Sequence, residues 1–361
     1  MNYRERLDRT RQRMDTLGVD VLLASCGPDL TYLTGYEAVP LERLTALILA
    51  RGDESTLLVP RLEAARVEER PDVFNLETWD EDEDPVERVA AHVRSAQIVA
   101  VADHASARLL LALQDALPRA RFIRASLVTS PLRARKDEAE ISRLQAAADA
   151  VDAIAHGLRV RPLGGRTERD IQRMLIELML DAGHDRANFA IVGTGPNSAS
   201  PHHEPSDRRV EAGDVVLCDF GGTMRGYCSD ITRMFVVGEI RPEVQDAYDA
   251  LSVAQETAVS AATVGTPCED VDAVARGVLA QSAFAEQFIH RTGHGIGLEA
   301  HEDPYLVVGN DTRLAPGHSF SIEPGIYFPG QFGLRIEDIV VADAAGPRRL
   351  NSAARDLAVV E

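Results

Sequence analysis

The chain has 361 residues, 45% hydrophobic and 26% charged, with 38 Lys and Arg against 57 Asp and Glu, for a net charge of −19. That composition describes a globular protein with enough core for about two domains, and it excludes disordered and fibrous classes. The acidic balance argues against nucleic-acid binding, which needs clustered positive charge. The opening MNYRERLDRTRQRM is charged throughout and has no apolar centre of a secretory signal. No apolar run approaches the roughly 18 residues of a membrane helix. The four cysteines show no CxxC spacing and read as reduced thiols of a cytoplasmic protein.

The first ~125 residues alternate between helical and strand patterns, which predicts a layered α/β domain. A helix is predicted over Tyr3–Leu17 and a strand over Val19–Ser25. Further strands are predicted at Ala46–Ala50, Thr56–Pro60 and Ile98–Ala102, and helices at Leu62–Glu69, Asp84–Ser95 and Ala105–Leu117. The acidic run Asp80–Asp84 ends in Pro85, a helix-start signal. Ser130-Pro131-Leu132-Arg133 reads as a hinge, so the predicted domains are 1–130 and 131–361. A long helix follows from Asp137 towards Gly157, its apolar positions at Ile141, Leu144, Ala148, Val151 and Ile154.

The second domain carries a weak internal echo. A helix ends before Gly164-Gly165-Arg166-Thr167 and another starts near Asp170; later a helix over Val244–Ala262 ends before Gly265-Thr266-Pro267 and another starts near Asp270. Thr167 and Thr266 suit N-cap positions. Two such copies describe a pseudo-symmetric α+β domain, with chance similarity as the competing account.

The chemistry concentrates in four strand-like segments. Asp219 and Asp230 each sit in an apolar run, separated by Gly221–Gly226. A hairpin centred on Met224-Arg225 would set the two carboxylates opposite each other, about 5 Å apart at Cβ. A second hairpin, centred on Gly330, would oppose Glu323 and Glu337. Two ionised carboxylates facing each other among apolar neighbours call for a proton or a cation between them. His294, in Gly293-His294-Gly295-Ile296-Gly297, offers an imidazole on a close-approaching backbone. Four carboxylates and one imidazole suit manganese, cobalt or zinc, and carboxylates can bridge two ions about 3.5–4 Å apart.

The strings DFGGTMRGYCSDITRMF, GHGIGLEAHE, SIEPGIYF and LRIEDIV resemble those of the dinuclear metallopeptidases of the pita-bread fold: prolidase, aminopeptidase P and methionine aminopeptidase. DLTYLTGY at Asp29–Tyr36 resembles the accessory domain of the first two, which the last lacks. The resemblance implies a creatinase-like α/β N-terminal domain and an α+β pita-bread catalytic domain. It implies two divalent ions held by Asp219, Asp230, His294, Glu323 and Glu337, with Asp230 and Glu337 bridging and Glu323 also moving a proton. His202, 17 residues before Asp219, and His301, seven after His294, match substrate-facing histidines. His290 matches a pocket histidine, and Arg335, two before Glu337, would orient that bridging carboxylate. His203 has no expected role, and Cys228 is expected to be a packed residue.

The function implied is cleavage of Xaa-Pro bonds at the N-terminus of short peptides, by a cytoplasmic homodimer that binds neither nucleic acid nor membrane. Some prolidases carry an Arg at the position of Tyr305 that grips the substrate's carboxylate. With Tyr305 there, and Arg313 or an N-terminal basic group as the possible substitute, a dipeptidase is the first reading and an aminopeptidase P the alternative. A non-peptidase pita-bread hydrolase or a binding protein is a third, disfavoured by the intact ligand set.

Overall fold

The structure is a computed structural model that describes residues 1–52, 54–282 and 284–361. The chain forms two compact units, Met1–Arg133 and Ala134–Glu361.

The first unit contains α1 (Tyr3–Leu17), β1 (Val21–Ser25), α2 (Pro28–Thr34), β2 (Ala46–Ala50), β3 (Ser55–Pro60), β4 (Asn75–Trp79), α3 (Pro85–Val93), β5 (Ile98–Val101), α4 (Ala107–Ala116), β6 (Arg121–Arg124) and α5 (Ser126–Arg133). Its sheet runs β4-β3-β2-β1-β5-β6. The pairings β1–β2 and β2–β3 are antiparallel and the rest are parallel. This is the expected α/β layering. Asp84 caps α3 by accepting from the Val86 amide, with Pro85 at the first helical position.

Three local readings change. The 62–69 segment is a short 3₁₀ turn over Arg61–Arg66. The edge strands β4 and β6 were not predicted, because their exposed, mixed-polarity residues carry no apolar run. Ser130–Arg133, read as a hinge, is the last turn of helix α5, and the first compact unit ends with it. Pro131 cannot donate to the carbonyl of Leu127, and the Arg13 Nε takes that carbonyl instead at 3.2 Å.

The second unit contains α6 (Glu138–Leu158), α7 (Glu168–Asp181), β7 (Arg186–Thr194), β8 (Val215–Met224), β9 (Tyr227–Cys228), β10 (Ile231–Val237), α8 (Pro242–Ala261), α9 (Cys268–Gln281), β11 (Gly293–Gly295), β12 (Glu302–Leu306), β13 (Ser319–Ile322), β14 (Gly325–Phe328), β15 (Phe332–Arg335), β16 (Asp338–Asp343), β17 (Gly346–Arg349) and β18 (Ala358–Val360). One sheet runs β18-β10-β8-β7 with β9 on β8, a second runs β12-β11-β13-β16-β17, and β14 pairs β15. Residues of β8 and β10 alternate between two apolar clusters. Val215, Leu217, Met234 and Val236 pack with α8 and α9 residues such as Leu251 and Val271, while Val216, Cys218, Phe220 and Phe235 pack with α6 and α7 residues such as Val151 and Leu175.

The internal echo is a true structural repeat. The Gly165 amide donates to Val210 and the Gly265 amide to Leu314; Val210 donates back to Arg166 and Leu314 to Thr266. The first amides of α7 and α9 are satisfied alike, Glu168 by Arg208 and Cys268 by Thr312. Thr167 caps α7 in a capping box with Asp170. Thr266 does not cap α9: Pro267 holds the cap position, and the Thr266 hydroxyl pairs with that of Thr263 at 3.0 Å.

Candidate metal centre

The two hairpins that carry the acidic residues differ in how they meet expectation. In the first, β8 runs on through the glycines to Met224, and the turn is Arg225-Gly226, with φ of 51° and 83°. Two positive φ values define a type I′ turn, whose second position favours Gly. The hairpin centre therefore lies one residue beyond the expected one, and Asp219 pairs with Thr232 in place of Asp230. A shift of one residue in the centre moves the partner by two, so Asp230 stays on the same face, diagonal to Asp219.

The second hairpin has the expected centre. Gly325 pairs with Arg335 in one ladder and Ile322 with Asp338 in the next, and both preserve the same register. Glu323 and Glu337 occupy the opposed positions in the gap between the ladders. Their amides are bonded elsewhere, Glu323 to the Thr292 carbonyl at 2.8 Å and Glu337 to Thr232 at 3.4 Å. The hairpin thus changes sheets where its two carboxylates must turn inward.

His294 enters from β11. A Cβ on Gly293 would collide with the Ser321 carbonyl, and one on Gly295 with the Asp303 carbonyl, so both flanks of the histidine require glycine. The His294 Nδ1 lies 3.1 Å from the Gly295 carbonyl. A carbonyl only accepts, so Nδ1 carries a proton and Nε2 faces the site, where it can hold a metal when it carries none. That Nε2 lies 3.1 Å from Glu323 and 3.9 Å from Asp230.

These residues form interlocking groups of ligand atoms within 4.8 Å of one another: Asp219, Asp230 and Glu337; His294, Glu323 and Glu337; and Asp230, His294 and His301. Glu337 belongs to two groups, and so does Asp230. One oxygen each of Asp219, Asp230 and Glu337 is buried without a hydrogen-bond partner among the described residues. Buried acceptors with no donor are costly, and a proton or a shared cation would satisfy them. In the metal-free chain, burial raises the pKa of all three carboxyls, and the neighbouring carboxylates raise them further. Burial also acts to raise Glu323, but His294 beside it, with His290 and Arg335, holds it well below the carboxylate range.

Around this centre, the Arg335 guanidinium donates to Asp219, to the Thr232 hydroxyl at 3.2 Å, to the Tyr327 hydroxyl at 2.7 Å and to the Pro201 carbonyl. The expectation that it orients Glu337 is corrected. Arg335 ends β15, and the chain changes sheets before Glu337, which breaks the shared strand face. The Tyr327 hydroxyl accepts from Arg335 and so donates to His290 Nε2 at 3.0 Å; His290 Nδ1 faces the Arg291 carbonyl at 2.7 Å. Both ring nitrogens of His290 are therefore held by the protein. Tyr327 was not expected, although it lies inside the SIEPGIYF string.

His301 is exposed, and its ring packs on that of His294 with centroids 3.8 Å apart. Its Nδ1 faces the Arg291 Nη2 at 3.4 Å, and a guanidinium only donates. This contact selects the neutral tautomer with its proton on Nε2. Although the residue keeps contact with solvent, partial desolvation of its ring and the neighbouring His294 bring its pKa down to about 4. His202 is also exposed and contributes to that lowering, so it stands near His301. Tyr305 lies under the Arg291 guanidinium, 4.5 Å from its ring centre.

Two supporting carboxylates carried no sequence signal. Glu168, fully buried at the start of α7, accepts from the Thr194 amide and hydroxyl, Asn197, the Ser206 amide and hydroxyl, and His203. It anchors the segment that carries His202, and it gives His203 a part that was not expected. Glu302, next to His301, pairs with the buried Lys136 at 2.7 Å. Cys228 is a packed residue as expected, and burial pushes its thiol up to about 11.

Residues 142–344 match metallopeptidase family M24, and residues 6–135 match the creatinase/prolidase N-terminal domain. A Mycobacterium tuberculosis protein named probable dipeptidase PepE is 41% identical over 99% of this chain and 96% of its own length. The Xaa-Pro dipeptidase of Lactobacillus helveticus is 33% identical over 98% of both chains. The crystal structure of a prolidase from Thermococcus sibiricus is 36% identical and superimposes with a TM-score of 0.94 over 100% of both chains. The chain belongs to metallopeptidase family M24, with a creatinase/prolidase N-terminal domain ahead of a pita-bread catalytic domain. No helix among the described residues is long and apolar enough to cross a membrane.

Proposed function

We propose that this chain is an Xaa-Pro dipeptidase, hydrolysing the bond before proline in short peptides. The observation that carries the reading is the set of three unpartnered buried carboxylate oxygens on Asp219, Asp230 and Glu337, the last two of which also group with His294. Asp219, Asp230 and Glu337 would hold one divalent ion, and His294, Glu323 and Glu337 the other, with Asp230 within reach of both. When bound, two such ions supply Lewis acidity and lower the pKa of water towards neutrality. Manganese fits the mixed carboxylate and imidazole donors, with cobalt or zinc as substitutes.

The chain's own residues do the rest. Glu323, held on one oxygen by the Ser321 hydroxyl at 2.9 Å, takes the proton of the attacking water and delivers it to the proline nitrogen as it leaves. Neutral His301 donates from Nε2 to the scissile carbonyl oxygen, where negative charge develops. His202 stands near His301 and faces the substrate beside it. His290 offers a substrate its ring, since its nitrogens are engaged. Arg335 fixes Asp219. An amide before proline has no N–H, and a site that grips through histidines and carboxylates has no need of one. Four free cysteines support a cytoplasmic location, and a homodimer completes the proposal.

Manganese-loaded protein is expected to release alanine from Ala-Pro and not from Ala-Pro-Ala, read by chromatography. Cleavage of the tripeptide would assign an aminopeptidase P activity instead, and cleavage of neither would reject Xaa-Pro specificity.

A further inference from the structure

A dipeptide differs from the first two residues of a longer peptide by its free carboxylate. A site selective for dipeptides therefore needs a cation about one residue, on the order of 3.5 Å, beyond the scissile carbonyl. Three other arginines of the second unit are committed. Arg335 is buried on Asp219 and Tyr327; Arg276 is taken by Asp272 and by the Phe288 and His290 carbonyls. Arg313, the candidate named from the sequence, donates to the Gly265 carbonyl ahead of α9.

Arg291 is different. It is partly exposed, and among the described residues its guanidinium meets the ring nitrogen of His301 and the face of Tyr305, neither of which neutralises it. Stacking on Tyr305 holds the guanidinium flat, as a fork that matches a carboxylate in bidentate fashion. Its contact with His301 places it one step from the carbonyl which that histidine would address.

Resting on the Xaa-Pro reading, we propose that Arg291 is the specificity residue that receives the substrate's terminal carboxylate, with Tyr305 as its platform. The charge reaches the pocket from the segment before β11 and is supported, not supplied, by position 305.

The test compares kcat/KM for Ala-Pro and for Ala-Pro-amide, in wild type, Arg291→Met and Arg291→Lys. Wild type is expected to prefer the free acid, and Arg291→Met to reduce that preference about ten- to hundredfold, as loss of a charged hydrogen bond does. Arg291→Lys, which keeps the charge without the fork, should fall between. Any effect through the His301 tautomer lowers both substrates and cancels in the ratio. Proline should compete more weakly in Arg291→Met, while pyrrolidine, which lacks the carboxylate, should compete equally. A preference that survives in Arg291→Met, or its absence in wild type while Ala-Pro is cleaved, overturns the proposal alone. Failure of wild type to cleave either substrate removes the Xaa-Pro reading, and this proposal with it.

Discussion

Glu323 and Glu337 face each other at the point where one hairpin passes between two sheets. The ladders on either side keep one register, so the opposition is built into the backbone. Glu337 also stands in both the Asp219–Asp230 group and the His294–Glu323 group. Glu337→Gln is therefore expected to release metal from both positions, as read by elemental analysis, and to cut turnover by more than about hundredfold, beyond the loss typical of outer partners. Because Gln removes one of several repelling buried charges, the metal-free variant should melt higher than metal-free wild type at pH 8. A lower melting temperature would show that Glu337 contributes to the fold without metal.

Metal removal should couple stability to pH with a definite sign. Burial raises Asp219, Asp230 and Glu337 above the usual carboxylate value in the metal-free chain. Such groups bind protons more tightly folded than unfolded, so their contribution is fully present below about pH 4 and is lost as pH rises through the folded values. Metal binding, which needs them ionised, strengthens over the same range. The gap in melting temperature between manganese-loaded and chelator-treated protein should widen from pH 5 to pH 8. A gap that narrows would place the raised carboxylates outside the metal site.

What could be read from the sequence, and what could not, follows the range of the interactions. Asp219 and His294 lie in strands, and Asp230, Glu323 and Glu337 at the junctions next to them, where period and turns are local, and the symmetric Gly330 hairpin was legible from spacing alone. The first hairpin slipped because β8 continues through Gly221 and Gly222, where side chains would collide with the Ser229 and Arg186 carbonyls. Arg335 failed for the same kind of reason: period two holds within a strand and not across a change of sheet. Glu168 and Lys136 were invisible because their partners are remote in sequence, at Ser206 and Glu302.

Glu168 gives a test of that hidden support. Burial pushes its carboxyl up, but hydrogen bonds led by Ser206 and His203 more than offset this and bring it to about 2. A lowered carboxyl contributes stability that is present above its unfolded value near 4.5 and is lost as pH falls towards 2. Glu168→Gln should cost about 2–3 kcal/mol near neutrality. The difference from wild type in denaturant unfolding should shrink below pH 4, and a difference independent of pH would assign the loss to packing.

His301→Ala isolates the carbonyl-facing step. The ring lies on His294, but no ligand role is proposed for it, so metal content should stay unchanged. Losing one preorganised donor is expected to lower kcat about 10²–10³-fold. Because the donor bonds more strongly to the developing charge than to the ground-state carbonyl, KM should move far less than kcat. An unchanged kcat, or a loss of metal, would remove His301 from the proposed role.

Lys136 and Glu302 are both buried, with side chains 1% and 6% exposed, and their 2.7 Å pair ties the residue after His301 to the segment that enters α6. The buried pair gains strength from low dielectric, but each charge is a liability alone. Lys136→Met removes the ion-pair partner of the Glu302 carboxylate and is expected to destabilise the protein by about 3–5 kcal/mol. Adding Glu302→Gln should restore part of that loss, since the second change removes a buried charge. Denaturant unfolding of the four proteins in the cycle measures the coupling directly. If the double variant is as unstable as the sum of the singles, the two residues act separately. If stability recovers while kcat stays low, the pair's contribution is the placement of His301, and the fold can be held without it.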